Sequence, residues 1–148
     1  MSNGDLARLF IQALQKTQVS YRQAIQRCLK SNNVGMTFEM LQIMACLWRQ
    51  QGVNQQELAN KTFKDKASLT YLINKLSDKG WVVRCEDAHD RRNKPIFLTE
   101  EGEKMRDIVM PLLSDIYRVA GENLDPGHIL IGIEYLQELE YGFERYEV

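Results

Sequence analysis

The first long stretch of helical spacing in the chain is Leu6, Leu9, Phe10, Ala13, Leu14, Tyr21, Ile25, Cys28 and Leu29, with no proline among them. Apolar residues that return every three or four positions form one stripe on a helix, so a helix is predicted over 5–29. Ser31-Asn32-Asn33 and Gly35 end it. Thr37 has the chemistry of an N-cap for a second helix, in which Met40, Leu41, Ile43, Met44, Leu47 and Trp48 make a wide buried stripe, and Gly52 stops it. Asn54-Gln55-Gln56-Glu57 has capping-box spacing and predicts a short third helix over 55–61. Asp65 caps a fourth, with Leu69, Leu72, Ile73 and Leu76 on one face and Gly80 as its stop.

At Trp81 the period changes from helical to extended. Trp81-Val82-Val83-Arg84-Cys85 and Pro95-Ile96-Phe97-Leu98 predict two short strands around the polar loop 86–94, a long-looped hairpin. Thr99-Glu100-Glu101 opens a fifth helix, running to about Gly121 with a kink expected at Pro111. Asp125-Pro126 opens a sixth, carried by Ile129, Leu130, Ile133, Leu136, Leu139 and Phe143. The predicted class is mainly α with a small β-hairpin wing, because two short helices followed by a hairpin are the layout of a winged helix-turn-helix.

The 148 residues suit one domain with a real core, and 44% apolar with 26% charged residues excludes a disordered or fibrous chain. Nothing approaches the length of a membrane span or has the pattern of a signal peptide, so no membrane partner and a cytoplasmic location are expected. Cys28, Cys46 and Cys85 are too widely spaced for a disulfide framework or a metal site, and His89 and His128 stand apart from any ligand motif. Cys28 and Cys46 are expected as buried fillers; Cys85, beside Arg84, is the one cysteine whose neighbourhood favours a thiolate. No cofactor or metal is expected. No nucleophile with its base, glycine-rich phosphate loop or paired acid and base is visible, so the chain is not expected to be an enzyme.

The net charge of −1 hides a strong partition. Residues 1–60 carry a balance of +3, residues 61–98 of +4 and residues 99–148 of −8. Binding to a polyanion responds to local charge, so a basic centre and an acidic tail point to a phosphate-facing middle.

At about 100° per residue, Ala67, Thr70, Tyr71 and Asn74 lie opposite the buried face of the fourth helix and are the candidate readers of base edges. Ser68 and Lys75 flank them, and Lys64 and Lys66 stand near the helix N-terminus, where free amides also favour an anion. Asparagine can pair with adenine through both amide atoms, while threonine and alanine can meet the thymine methyl. Arg91, Arg92 and Lys94 put three cations within four residues at the hairpin tip, suited to a narrow minor groove.

Taken together, Glu57-Leu58-Ala59, Leu69, Leu72-Ile73, Leu76, Gly80, Arg84, Asp90-Arg91-Arg92 and Leu98-Thr99-Glu100-Glu101-Gly102 resemble the MarR (multiple antibiotic resistance regulator) family over nearly the whole chain. Thr62-Phe63 departs from the small residue or glycine common in that turn, and Pro95 opens the second wing strand. The resemblance implies a single domain over 1–148, with dimerisation helices at 5–36 and 103–148 and a DNA-binding lobe at 37–102. It implies a homodimeric, effector-responsive repressor on a pseudo-palindromic double-stranded DNA site, with a small amphipathic or aromatic effector. By the same resemblance Arg92 enters the minor groove; Asp90 is then expected to orient its guanidinium, since a carboxylate can hold the fork in one pose, and Arg84 at the wing base is expected in a structural ion pair or a phosphate contact. Two other readings are a winged helix that binds a protein instead of DNA and a thiol-based redox regulator.

Overall fold

The computed structural model describes residues 1–90 and 92–148. The described chain contains helices α1 (Asn3–Ser31), α2 (Phe38–Arg49), α3 (Gln55–Thr62), α4 (Lys66–Asp78), α5 (Glu100–Gly121) and α6 (Pro126–Glu144). Two strands, β1 (Val82–Arg84) and β2 (Ile96–Leu98), stand between α4 and α5. This is a winged helix-turn-helix.

The chain divides into two compact units, Gln23–Ser114 and a second made of Met1–Arg22 with Asp115–Val148. The first is wider than the 37–102 lobe expected from the sequence. Ile25 and Leu29 near the end of α1, and Val109 and Leu113 in α5, are buried, which draws these turns into its core. That core also takes Ile43, Met44 and Leu47 from α2, Leu58 from α3, Leu69, Ile73 and Leu76 from α4, and Val82 and Ile96 from the strands. In the second unit no described residue is buried, and Leu6, Leu9, Leu130, Ile133, Leu136 and Phe143 are exposed. Within it Tyr21 and Tyr117 share a hydrogen bond of 2.8 Å between their hydroxyls, with stacked rings 6.2 Å apart. Partial desolvation of the ring hydroxyl, reinforced by that bond, pushes the Tyr21 phenol up to about 12.

Local chemistry sets the helix boundaries. Thr37 accepts from the Met40 amide and Asn54 from the Glu57 amide, at 3.2 and 2.8 Å, each relieving one of the unpaired donors that start a helix. α1 begins two residues earlier than predicted because Ser2 and Asp5 cap each other: the Asp5 amide donates to the Ser2 hydroxyl at 3.1 Å, and the Ser2 amide donates to the Asp5 carboxylate at 3.0 Å. α4 ends in a Schellman turn, in which the Trp81 amide donates to the Leu76 carbonyl and the Gly80 amide to Ser77, with Gly80 at a φ of 76°. Between α3 and α4 the left-handed position is held by Phe63, at a φ of 54° and 96% exposed. Its neighbour Thr62 turns inward and donates to the Leu58 carbonyl.

β1 and β2 pair antiparallel as Val82 with Leu98, Val83 with Phe97 and Arg84 with Ile96. Alternation then buries Val82 and Ile96 and turns Val83 and Phe97 outward. The hairpin is closed at its root by α5. The Thr99 amide donates to the Trp81 carbonyl at 3.0 Å, its hydroxyl to the Gly80 carbonyl at 2.5 Å, and the Gly102 amide to the Thr99 hydroxyl at 3.0 Å. The indole of Trp48 donates to the Gly102 carbonyl at 3.0 Å.

Gly102 is fixed by this approach. A β-carbon there would stand 2.0 Å from the Trp81 carbonyl oxygen, a backbone atom that cannot swing aside. Gly102→Ala is therefore expected to destabilise by about 1–3 kcal/mol in urea unfolding, although alanine is otherwise the better helix former. Glu101→Ala, one exposed position away, should lie within about 0.5 kcal/mol of the parent. Phe63→Gly should go the other way, gaining up to about 1 kcal/mol from relief of the left-handed backbone.

Candidate nucleic-acid interface

α4 is placed by its apolar side. Leu69, Leu72, Ile73 and Leu76 are buried, leaving Ala67, Ser68, Tyr71, Asn74 and Lys75 exposed and Thr70 half-buried. Tyr71 carries the Lys75 ammonium over its ring, 5.4 Å from the centroid, so the outward face is both aromatic and cationic. At the amino end Asp65 accepts from the Ser68 amide at 2.7 Å. Bonds from Ser68, and a weaker one from the Ala67 amide, hold its carboxyl below the usual range. Lys66 is exposed, whereas the half-buried Lys64 donates its ammonium to Gln42 of α2 at 2.8 Å. Lys64 is thus already engaged with α2.

The wing loop is built by its own acidic residues. Asp87 accepts from the His89 amide at 2.9 Å and the Asn93 side chain at 3.0 Å, and these bonds hold its carboxyl below the usual range. Asp90 accepts from the backbone amide of Arg92 at 2.9 Å, while its carbonyl takes the Asn93 amide at 3.1 Å. The expected fork between Asp90 and the Arg92 guanidinium is replaced by a turn-forming bond to the main chain. Aspartate favours such a bond because its short side chain reaches the amide two residues on. Arg92 and Lys94 are exposed; Arg91, the third expected cation, lies outside the described residues.

An open groove of about 860 Å³ runs between these parts and is lined by Gln55, Lys66, Thr70, Asp90, Arg92 and Lys94, among others. It unites one end of α4 with the wing tip. Ala67, Ser68, Tyr71, Asn74 and Lys75 are outside its lining, on the outward face of the same helix.

At the wing root the sequence reading needs correction. Of the two expectations for Arg84, the ion pair gives way to carboxamides: its Nε donates to Gln55 Oε1 at 3.0 Å and its Nη2 to Asn74 Oδ1 at 2.7 Å, while the phosphate contact belongs to the DNA-bound state. Two neutral carboxamides hold the fork because α3 and α4 present those side chains to the half-buried strand residue. Gln55 in turn donates to the Thr70 hydroxyl at 3.3 Å, and Thr70 donates to the Lys66 carbonyl at 2.9 Å. Gln55 was missed as a functional residue. Its place inside a capping-box pattern was the only local signal, and that pattern speaks for the helix start rather than for the wing.

The cysteines and the aromatic residues also sort themselves. Cys28 and Cys46 are half-buried rather than buried, standing at the flanks of their helical stripes, and Cys85 is exposed. Met44 and Trp48 belong to the core, as the buried stripe of the second helix predicts. No described helix is long and apolar enough to cross a membrane.

Residues 37–94 match the model of the MarR family. The HTH-type transcriptional regulator TtmR of Methylorubrum extorquens is 28% identical over 96 residues, 65% of this chain and 49% of TtmR. The chain spans about half the length of the curated relatives it matches. Among solved structures, a MarR transcriptional regulator from Methanosarcina mazei Go1 superposes with a TM-score of 0.80 at 24% identity, covering 94% of this chain and 99% of that one. CouR from Rhodococcus jostii RHA1, solved bound to p-coumaroyl-CoA, gives 0.76 at 25% identity and 92% of both chains. These likenesses agree with the winged helix-turn-helix described above.

The lowered carboxyls of Asp65 and Asp87 carry a pH signature. A depressed folded-state pKa contributes stability that is present above the unfolded value and lost as the pH falls through the folded one. The melting temperature should accordingly drop as the pH is taken below about 4. Asp65→Asn, which keeps a capping oxygen but cannot titrate, should give a shallower acid limb in calorimetry; an acid limb identical to the parent's would remove Asp65 from the account.

Proposed function

We propose, on the premise that residues 37–94 are a MarR-family domain, that this chain is a sequence-specific regulator of transcription that binds double-stranded DNA as a homodimer. The observation that carries the reading is the groove that joins Lys66 and Thr70 of α4 to Arg92 and Lys94 of the wing. A helix of this kind fits a major groove, and a cationic loop beside it fits the adjacent minor groove. Asn74, Tyr71 and Ala67 face the base edges, Ser68, Lys66 and Lys75 the phosphates, and Arg92 the minor groove. Arg84 supports the wing root, Asp90 shapes the wing turn, and Lys64 reaches a phosphate only by giving up Gln42.

The homodimer reading is supported by the second unit. Its apolar residues on α1 and α6 are exposed, Leu130 at 63%, and a patch of this kind on a stable protein calls for a partner surface. A two-fold copy supplies it and sets two reading units on a pseudo-palindromic site. The acidic balance of residues 99–148 keeps this part away from the phosphates. CouR, similar to this chain at 25% identity, is known with p-coumaroyl-CoA bound, which supports a small amphipathic or aromatic effector here. An effector that prefers another spacing of the two reading units weakens DNA binding by shifting that equilibrium, the behaviour of a repressor.

Fluorescence anisotropy on mixed DNA duplexes tests the reading. Binding should fall steeply as salt rises, and Arg92→Ala should weaken it roughly tenfold. No binding at low salt would falsify the proposal in favour of a protein-binding winged helix. Light scattering should give about twice the 17.2 kDa chain mass, with Ile133→Glu shifting the protein toward monomer. A parent mass of one chain at micromolar concentration overturns the dimer.

A further inference from the structure

A single carboxamide on α3 bridges the wing and α4. Gln55 Oε1 accepts from Arg84 Nε at 3.0 Å and its Nε2 donates to the Thr70 hydroxyl at 3.3 Å, so one side chain touches both the last residue of β1 and α4. Arg84 makes a second attachment itself, to Asn74, one helical turn beyond Thr70. Two attachments a turn apart hold the strand end against sliding or tilting on the helix, where one alone would act as a pivot. Gln55 is well placed to serve as the brace, because it is half-buried and directly follows the Asn54 cap that starts α3.

Beyond Arg84 the hairpin continues as an arm toward Arg92. The Cys85 amide donates to the Pro95 carbonyl at 2.9 Å, the Asp87 amide to the Asn93 carbonyl at 3.4 Å, and the Asp90 carboxylate takes the Arg92 amide at 2.9 Å. The ties at Trp81, Thr99 and Gly102 hold the opposite end of the hairpin, so the end that carries the arm is steadied at Arg84. We propose that Gln55 is a positioning residue for DNA binding: by bracing the strand end against α4 it sets where Arg92 stands relative to the outward face of that helix. This deepens the DNA-binding reading given above and rests on it. The effect runs through Arg92 rather than through a contact of Gln55 with the duplex. A wing fixed before binding loses none of its contact energy to ordering. Without the brace the arm is ordered only when the duplex arrives, and the gain from Arg92 shrinks.

The test is a double-mutant cycle, read by fluorescence anisotropy on one duplex selected from a random library by the full-length parent, with circular dichroism to establish that each variant folds. Gln55→Met keeps the length of the side chain and removes both of its bonds. It should weaken binding about fivefold in the parent but less than about twofold in Arg92→Ala, where the arm has little left to position. Thr70→Val, which deletes the α4 end of the link and keeps the side chain's shape, should show the same dependence on Arg92. A loss on Gln55→Met that is equal with and without Arg92 overturns the proposal, since a direct contact or a purely structural residue behaves that way. Binding unchanged by Gln55→Met overturns it too. If Gln55→Met does not fold, the cycle of Thr70→Val with Arg92→Ala decides by the same criterion. Failure of the parent to bind any duplex overturns the DNA-binding reading along with this one, whereas independent losses in a parent that binds overturn this one alone.

Discussion

The wing depends on a single backbone junction, where the Trp81 carbonyl accepts from the Thr99 amide and the chain of α5 passes close over it at Gly102. Two strands of three residues each do not hold together on their own in water. They are held because Thr99 ties their base to the end of α4 through Gly80, and because Trp48 bonds the Gly102 carbonyl from α2. Gln51 adds a further tie, accepting from the Leu98 amide and donating to Glu103. The wing is therefore anchored to the helices that also position α4. The Schellman turn at Gly80 matters for the same reason: it sends the chain from α4 directly into this junction, with no slack between α4 and the wing.

Charge is arranged to suit that architecture. The lobe takes its positive balance from side chains at its surface, such as Lys66, Lys75, Arg92 and Lys94, and spends three of its acidic residues on main-chain amides: Asp65 on the start of α4, Asp87 and Asp90 on the wing loop. A carboxylate bonded to backbone N–H groups has part of its negative charge satisfied locally, so it opposes a nearby phosphate less than a bare one would. The excess of acid falls instead on residues 99–148. A nearly neutral chain can in this way present a cationic surface.

What could be read from the sequence follows the range of the interactions. Thr37, Asn54, Asp65 and Asp125 all cap the helices expected of them, because a cap is a bond to an amide two or three residues away and leaves its mark in the local sequence. The buried stripe of α4 was legible from its period, and with it the exposed face. Gly102 was visible as a motif letter, but its cause, the Trp81 carbonyl, lies 21 residues back in the chain. The partners of Arg84 were hidden for the same reason: Gln55 and Asn74 stand 29 and 10 residues away, and no spacing rule links a strand to amides on two helices. Asp90 was misread in the opposite sense. Its turn bond to Arg92 is as local as a cap, and the attraction of opposite side-chain charges drew attention from it.

The two units also differ in what makes them cohere. Gln23–Ser114 has a core of its own, with Ile43, Met44, Leu47, Leu69 and Ile73 fully enclosed. The helices of the second unit have the apolar residues for a core but enclose none of them, so burial within a single copy contributes little there. In the proposed dimer that burial is made between copies, and the order of these helices then depends on protein concentration while the lobe's does not. A regulator built this way keeps a reading surface whose shape is fixed at folding and a spacing between two such surfaces that is fixed only at assembly. The proposed effector would need to act only on the second, which is the less costly of the two to change.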